Sequence, residues 1–315
     1  MSDAFDEFSF LPEQAADAGL HVPIPPVERL RLDLADGRVL SALRYGSAPP
    51  VVTLLHGAGL NAHTWDTTVL ALGLPALAID LPGHGDSSWR DDAAYLPRLL
   101  AADAAAGMDA WTTAPQVLVG QSLGGLTAAA VAATRPHLVR TLVVVDITPG
   151  VDPNAGPGQV RDFFAGPTEW ATRDELVDRA LRFGLGGGSR RLAERGVYLN
   201  TRIRPDGRVE WKHHFAHLAA QSAARAGADR AGAAPPQAAG DDALTRLLGD
   251  SGWEDLAAVP APITLIRGSS GYVTEADAET FAARVAEASA ITLAGGHNLQ
   301  EDDPVGLAER IAGLA

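Results

Sequence analysis

Gly120-Gln121-Ser122-Leu123-Gly124 follows the apolar run Gln116-Val117-Leu118-Val119 and leads into the Ala-rich segment Leu126–Thr134. The short apolar run predicts a buried strand and the alanine-rich segment a helix. G-x-S-x-G between the two is the pattern of a nucleophile elbow, a sharp turn that lifts a serine above the sheet edge. The glycines follow from that geometry, because a strained turn leaves no room for side chains beside it. The helix N-terminus behind the serine favours negative charge developing there. With 33 glycines in the chain, the same string also arises as an ordinary Gly-rich βα turn. The flanking strand and helix point instead to Ser122 as a nucleophile.

The same alternation extends outward from the elbow. Upstream, Glu28–Leu34 and Arg38–Tyr45 alternate about Ala35-Asp36-Gly37, a hairpin signal. Val51–Leu55 and Ala76–Asp80 are continuous apolar runs, as in strands buried on both faces. Helical stretches at 62–72 and 92–110 separate them from each other and from the elbow strand. Downstream come strands at 141–147, 263–267 and 290–293, with helices at 275–288 and 304–314. Strands alternating with helices predict a parallel sheet covered on both faces, with the hairpin adding an antiparallel edge. Residues 1–26, polar and proline-bearing, read as a loose lead-in.

Between Thr148 and Ala258 the alternation stops. Helices at 168–183 and 189–199, a polar hairpin at 202–212 and an Ala/Gly/Pro-rich connector at 219–243 take its place. An insertion of about 110 residues is too long for a plain loop. Residues 148–258 therefore read as a lid set into a core made of 1–147 and 259–315.

Hydrophobic content of 46% with 20% charged residues belongs to a soluble globular protein. No apolar run approaches the roughly 18 residues of a spanning helix. The acidic stretch Met1–Leu20 has no apolar core of a secretory signal, so a cytoplasmic location is expected. A formal charge of −14 argues against nucleic acid and anionic membranes as partners. The absence of cysteine excludes disulfides, thiolate nucleophiles and zinc–thiolate sites.

Four motifs stand in order: His56-Gly57, Asp80-Leu81-Pro82-Gly83-His84-Gly85, the elbow at Ser122, and Gly296-His297 before the last helix. Together they resemble the α/β-hydrolase superfamily over most of residues 27–315, and within it the capped esterase and dehalogenase-like branch. The resemblance implies a mostly parallel eight-stranded sheet with helices on both faces and a mainly helical lid inserted after strand six. It implies a serine hydrolase of carboxylic esters acting without cofactor or metal, and the aromatic residues of the expected lid suggest small, largely apolar substrates. Ser122 would attack the acyl carbonyl to form an acyl-enzyme, and His297 would serve as its base. The main-chain N–H groups of Ala58 and Leu123 would form the oxyanion hole. His56 and the 80–87 stretch are expected to brace their loops. A lactonase or carbon–carbon bond hydrolase would use the same residues, and a non-catalytic small-molecule receptor would use only the pocket. Dehalogenases and epoxide hydrolases resemble this fold but carry aspartate at the elbow.

The third triad member departs from the family's usual place. Most members carry it after the seventh strand as Gly-x-x-Asp, but Gly268-Ser269-Ser270-Gly271 ends in glycine and no carboxylate follows until Glu275. Asp146 stands at the end of the sixth strand, 24 residues after Ser122, on a neighbouring strand tip. Some branches, haloalkane dehalogenases and certain esterases among them, resemble this placement. Asp-x-x-Pro also caps strand ends. The expected acid is Asp146, with Glu275 and Asp277 as alternatives in a first helical turn, where carboxylates also serve as caps.

His213, His214 and His217 have i, i+4 spacing but no matching carboxylate, so they read as lid surface and not as a metal site. Gly184–Gly188 lacks the Lys-Ser/Thr of a phosphate loop and reads as a lid turn. Aromatics such as Trp65, Trp89, Phe163, Phe164, Trp170 and Trp211 are expected near the pocket mouth or in the lid, more of them packing than touching substrate.

Overall fold

Successive side chains of a strand point to opposite faces, and the central strands of this protein are apolar on both. The computed structural model describes residues 6–151, 167–183, 189–218, 220–221 and 252–315. Its strands are β1 (Val27–Asp33), β2 (Val39–Tyr45), β3 (Val52–Leu55), β4 (Ala76–Asp80), β5 (Gln116–Gln121) and β6 (Val139–Val145), then β7 (Glu169–Trp170), β8 (Thr201–Ile203), β9 (Val209–Trp211), β10 (Ile263–Gly268) and β11 (Ser289–Leu293). Helices α1 (Leu11–Asp17), α2 (Asp66–Leu72), α3 (Pro97–Trp111) and α4 (Leu123–Thr134) precede the insertion. It contains α5 (Arg173–Arg182), α6 (Arg190–Asn200) and α7 (Gly252–Ala258), and α8 (Glu275–Arg284), α9 (Leu299–Asp302) and α10 (Pro304–Ala312) complete the chain.

Eight strands form one sheet in the order β1-β2-β4-β3-β5-β6-β10-β11. β4, β3, β5, β6, β10 and β11 run parallel to one another, and β2 is antiparallel both to β4 and to its hairpin partner β1. Leu55, Leu118, Leu142 and Val144 enter one core, beneath α3 and α4. Leu54, Val117, Val119, Val143 and Val145 enter the other, beneath α2 and α10. The alternation across β3, β5 and β6 explains why these strands carry near-continuous apolar runs.

Several boundaries differ from the sequence reading for local reasons. Helix α3 begins at Pro97 and not at residue 92, because Leu96 before the proline is extended at ψ 143°. Strand β6 stops at Val145, since Asp146 turns out of it with φ 47°. Glu169–Trp170 pairs with β9, so the helix expected from 168 starts only after Thr172, whose side chain accepts from Glu175 N. The lead-in is not loose: α1 buries Leu11 and Ala15 against Leu70. Its start carries a proline and Gly19 follows its end at φ 66°, the usual helix punctuation. Gly184–Gly188, Phe163, Phe164 and all but 220–221 of the 219–243 connector lie outside the described residues.

Strands β7, β9 and β8 make a small antiparallel sheet that packs with α5 and α6 around a separate core. Trp170 meets Trp211 edge-on there, centroids 5.2 Å apart.

A buried charge network fastens the N-terminal segment to the sheet. Arg29 donates to Asp80 Oδ2 at 2.8 Å and to both carboxylate oxygens of Glu7. His63 lies between Asp66 (Nδ1–Oδ2, 3.0 Å) and Glu7 (Nε2–Oε2, 3.2 Å). Its Nε2 is also 3.3 Å from Arg29 Nη2, a like-charge contact that the shared Glu7 offsets. Burial opposes charging of His63, but Asp66 and Glu7 outweigh it and push its pKa up to about 9. A histidine whose folded pKa exceeds its unfolded value stabilises fully below the unfolded value and loses that contribution as pH rises through the folded one. The window runs from about 6.5 to about 9 and is worth on the order of 3 kcal/mol. Thermal unfolding followed by circular dichroism should show the midpoint falling between pH 6.5 and 9, with His63→Gln flattening that slope.

Candidate active site

Ser122 sits between β5 and α4 at φ 53°, ψ −121°. A non-glycine residue in that region carries about 1–3 kcal/mol of strain and persists only when its surroundings fix it. Ser122 N donates to Val145 O at 3.1 Å, and Gly125 N and Leu126 N donate back to Ser122 O. The motif's glycines answer to close approach: a Cβ on Gly120 would lie 2.2 Å from Gly124 O, and one on Gly124 would lie 2.3 Å from Leu55 O.

That approach sets the N-terminus of α4 against the loop after β3. The position of a Cβ on Gly57 is 3.2 Å from Ser122 Cβ. Leu123 is the first residue of α4, so its N–H has no intrahelical acceptor. Among the described residues, neither Leu123 N–H nor Ala58 N–H has a hydrogen-bond acceptor. Two main-chain donors thus remain available beside Ser122. His56 braces the same loop, with Nδ1 donating to Gly57 O at 2.8 Å and Nε2 accepting from Leu81 N at 2.9 Å. Burial lowers its pKa, which keeps it neutral in that role. His84 is fully buried against the His56 ring, and Asp80 is committed to Arg29 and to Ala62 N.

Asp146 is wholly buried. Its Oδ1 accepts from Gly268 N at 2.9 Å, and its Oδ2 accepts from Tyr272 N at 2.7 Å and from His297 Nδ1 at 2.8 Å. A Cβ on Gly271 would lie 2.2 Å and 2.3 Å from those two oxygens. The carboxylate therefore fills the space that a side chain at 271 would occupy. Glu275 is exposed, and Asp277 accepts from Thr274 N and Oγ1 in a capping box. Both are placed as first-turn helix residues.

His297 lies in the loop after β11. In the neutral ring, donation from Nδ1 to the carboxylate puts the lone pair on Nε2. Two residues that motif reading did not single out hold this loop. Gln121, immediately before Ser122, donates from Nε2 to His297 O at 3.1 Å and to Asn298 Oδ1 at 3.3 Å. The Tyr272 ring lies over the imidazole, with centroids 3.8 Å apart and planes 13° apart. Gln121 occupies a variable position of the motif. Tyr272 directly follows the Gly271 gap, which was the available clue.

The three histidines are not lid surface. His213 is buried, which pushes its pKa down to about 3, and His214 stacks on Trp89 at 4.5 Å while Tyr95 Oη lies 2.7 Å from its Nδ1. They line the seam between the small sheet and the 80–95 segment. Among the described residues no group of three or more His, Cys, Asp or Glu side chains is placed to hold a metal ion. Trp65 is a core residue, and Trp170 and Trp211 pack within the second unit. A cleft of about 870 Å³ between α1, α6 and residues 300–305 includes Leu60, Asn61 and Gln300 but neither Ser122 nor His297. Another of about 660 Å³, lined by Val51, Leu74, Pro115 and Val139, opens at the opposite end of the strands, away from all of these groups. Neither carries the chemistry assembled around Ser122. Among the described residues no helix is long and apolar enough to cross a membrane.

Residues 54–310 match the alpha/beta hydrolase family. The esterase Rv0045c of Mycobacterium tuberculosis is 36% identical, over 98% of this chain and 95% of its own length. A solved structure of that esterase aligns with a TM-score of 0.79 at 34% identity, covering 99% of both chains. A pimeloyl-[acyl-carrier protein] methyl ester esterase of Neisseria meningitidis is 42% identical over a shorter stretch, 29% of this chain and 34% of its own. The thioesterase domain from the curacin biosynthetic pathway, at 23% identity and a TM-score of 0.67 over 91% of this chain and 99% of its own, shares the fold. With the family match running through most of its length, the chain belongs to the α/β-hydrolase family, on its esterase-type branch.

Proposed function

We propose that the protein cleaves carboxylic esters of small, largely apolar substrates through a covalent acyl-enzyme on Ser122. The observation that carries this reading is the pairing of His297 Nδ1 with the buried Asp146 carboxylate at 2.8 Å, on the strand tip beside the elbow. In this scheme His297 Nε2 takes the Ser122 hydroxyl proton as Oγ attacks the carbonyl carbon. The oxyanion that forms is held by Ala58 N–H and Leu123 N–H. Collapse expels the alkoxide, which takes the proton from Nε2 and leaves as alcohol. Water then attacks the acyl-enzyme, giving its proton to Nε2, and Ser122 departs with that proton as the carboxylic acid forms. Asp146 keeps the imidazole in the required tautomer and stabilises the imidazolium of each step. No cofactor enters the scheme. Ala58, Leu123 and Tyr272, the groups adjoining the elbow and the base, are uncharged, which favours an apolar substrate. Residues 148–258 serve as the lid, and the separate core of its described part supports that division. The full-length relative named as an esterase supports the bond class.

A fluorophosphonate probe should label the wild type and not Ser122→Ala, and short p-nitrophenyl esters should show a burst of one p-nitrophenol per labelled site. Labelling that is no better in wild type than in Ser122→Ala would favour a receptor. Labelling without ester turnover at any chain length would favour a different scissile bond.

The acid is tested by exchange of positions. Asp146→Asn should lower kcat by about 10³–10⁴-fold. Gly271→Ala, whose new methyl group meets the carboxylate, should lower it by about 10–100-fold through displacement of Asp146 alone. Asp146→Ala combined with Gly271→Asp should recover part of the activity lost in Asp146→Ala. If Asp146→Asn turns over normally while Glu275→Gln or Asp277→Asn does not, the assignment to Asp146 is wrong.

A further inference from the structure

We infer that Tyr272 is a positioning residue for the base, fixing the plane of the His297 imidazole that Asp146 alone leaves free to turn. The inference rests on the reading of His297 as the base. One hydrogen bond at Nδ1 holds that nitrogen at the carboxylate, yet joint changes of χ1 and χ2 can still turn the ring plane about it. Rotation swings Nε2 away from the direction in which it must meet a serine proton. A flat neighbour at contact distance blocks it, and the Tyr272 ring lies in that place, 3.8 Å from the imidazole centroid and tilted by 13°.

The same residue also holds the other member of the pair. Tyr272 N donates at 2.7 Å to Asp146 Oδ2, the oxygen that accepts from His297. Main chain and side chain of one residue thereby set the carboxylate and the imidazole relative to each other. Gly271 is what allows this: without a Cβ it lets the Asp146 oxygens lie where its side chain would be, which brings residue 272 alongside the imidazole. The loop after β10 gives the histidine no carboxylate. Through Tyr272 it gives the acid an N–H group, beside the one from Gly268 at the end of β10, and gives the base a flat face. The π face also favours the positive charge the imidazole gains when it takes the serine proton.

Substitution of the side chain leaves the main-chain N–H in place and isolates the ring. Tyr272→Phe keeps the flat face, whereas Tyr272→Leu keeps apolar bulk without it. Steady-state kinetics on a p-nitrophenyl ester, with kcat expressed per fluorophosphonate-titrated site, exclude any unfolded fraction. Tyr272→Phe should stay within about threefold of wild type, and Tyr272→Leu should lose about 10–100-fold in kcat with KM within about threefold. Should Tyr272→Leu yield no titratable sites, Tyr272→Met is read in its place against the same expectation. A leucine or methionine variant with wild-type kcat, a loss confined to KM, or a phenylalanine variant as impaired as leucine would each overturn the inference. Ser122→Ala and His297→Ala run alongside: activity surviving in either overturns the reading of the site itself. Activity lost in both, with Tyr272→Leu unaffected, overturns only the positioning role.

Discussion

The Asp146 carboxylate is bound by three N–H donors from two other segments, Gly268 at the end of β10 with Tyr272 in the loop after it, and His297 after β11. A buried carboxylate without such partners would carry a desolvation cost of several kcal/mol, a large share of a protein's net stability. The three bonds therefore constrain more than the side chain that accepts them. They pull the loop after β10 over the tip of β6, and they fix where the histidine loop can stand. They also forbid a side chain at 271, whose Cβ would lie 2.2 Å from Oδ1. The sequence departure at Gly271 and the carboxylate at 146 are two views of one packing requirement.

The adjacent tips of β5 and β6 each carry a non-glycine residue at positive φ, Ser122 at 53° and Asp146 at 47°. Such conformations persist only where the surroundings over-determine them. Here the sheet's hydrogen bonding continues through both residues, with Ser122 N bonded to Val145 O and Asp146 N bonded to Ile266 O at 2.8 Å. Neither can relax its backbone without breaking a bond to the next strand. Parallel pairing of β5 with β6 and of β6 with β10 thus does more than bury apolar surface. It holds Ser122 and Asp146 at the sheet edge in backbone conformations they would not choose alone.

Much of this was legible because the determining signals are local. Strands β3 to β6 announce themselves as short apolar runs, and the elbow and Gly296-His297 are contiguous motifs. Asp146 emerged by counting one helix and one strand on from Ser122, since connected strands in such sheets are neighbours. The parts that escaped reading depend on contacts between residues far apart in sequence. Gln121 meets His297 across 176 positions, and Tyr272 N reaches Asp146 across 126. Gln121 stands at a variable position of the motif, and Tyr272 is marked only by the glycine before it. Helix α1 escaped for a different reason: it is only seven residues long, and the polar, proline-bearing composition of residues 1–26 masks the short stretch that buries Leu11 and Ala15. The histidines at 213–217 read as surface in the sequence because their burial is against the 80–95 segment, a tertiary fact with no periodic trace.

The loop between His56 and Asn61, which carries Ala58, is held at both ends by buried groups. At one end His56 ties it to Leu81 within the sheet domain. At the other, Asn61 Nδ2 donates to Leu199 O at 3.2 Å and to Asn200 Oδ1 at 2.8 Å, at the C-terminal end of α6. Helix α6 is in turn paired with α1, through Arg191 and Arg195 to Glu13 and Asp17. Those pairs are largely solvent-exposed, and each contributes at most about 1 kcal/mol. Asn61 is 3% exposed, so its bonds are shielded from water and cannot be replaced by it without opening the seam. Helix α6 therefore reaches the loop that carries Ala58 through Asn61 more than through its surface charges, and that loop is held from α6 at one end and from Leu81 at the other.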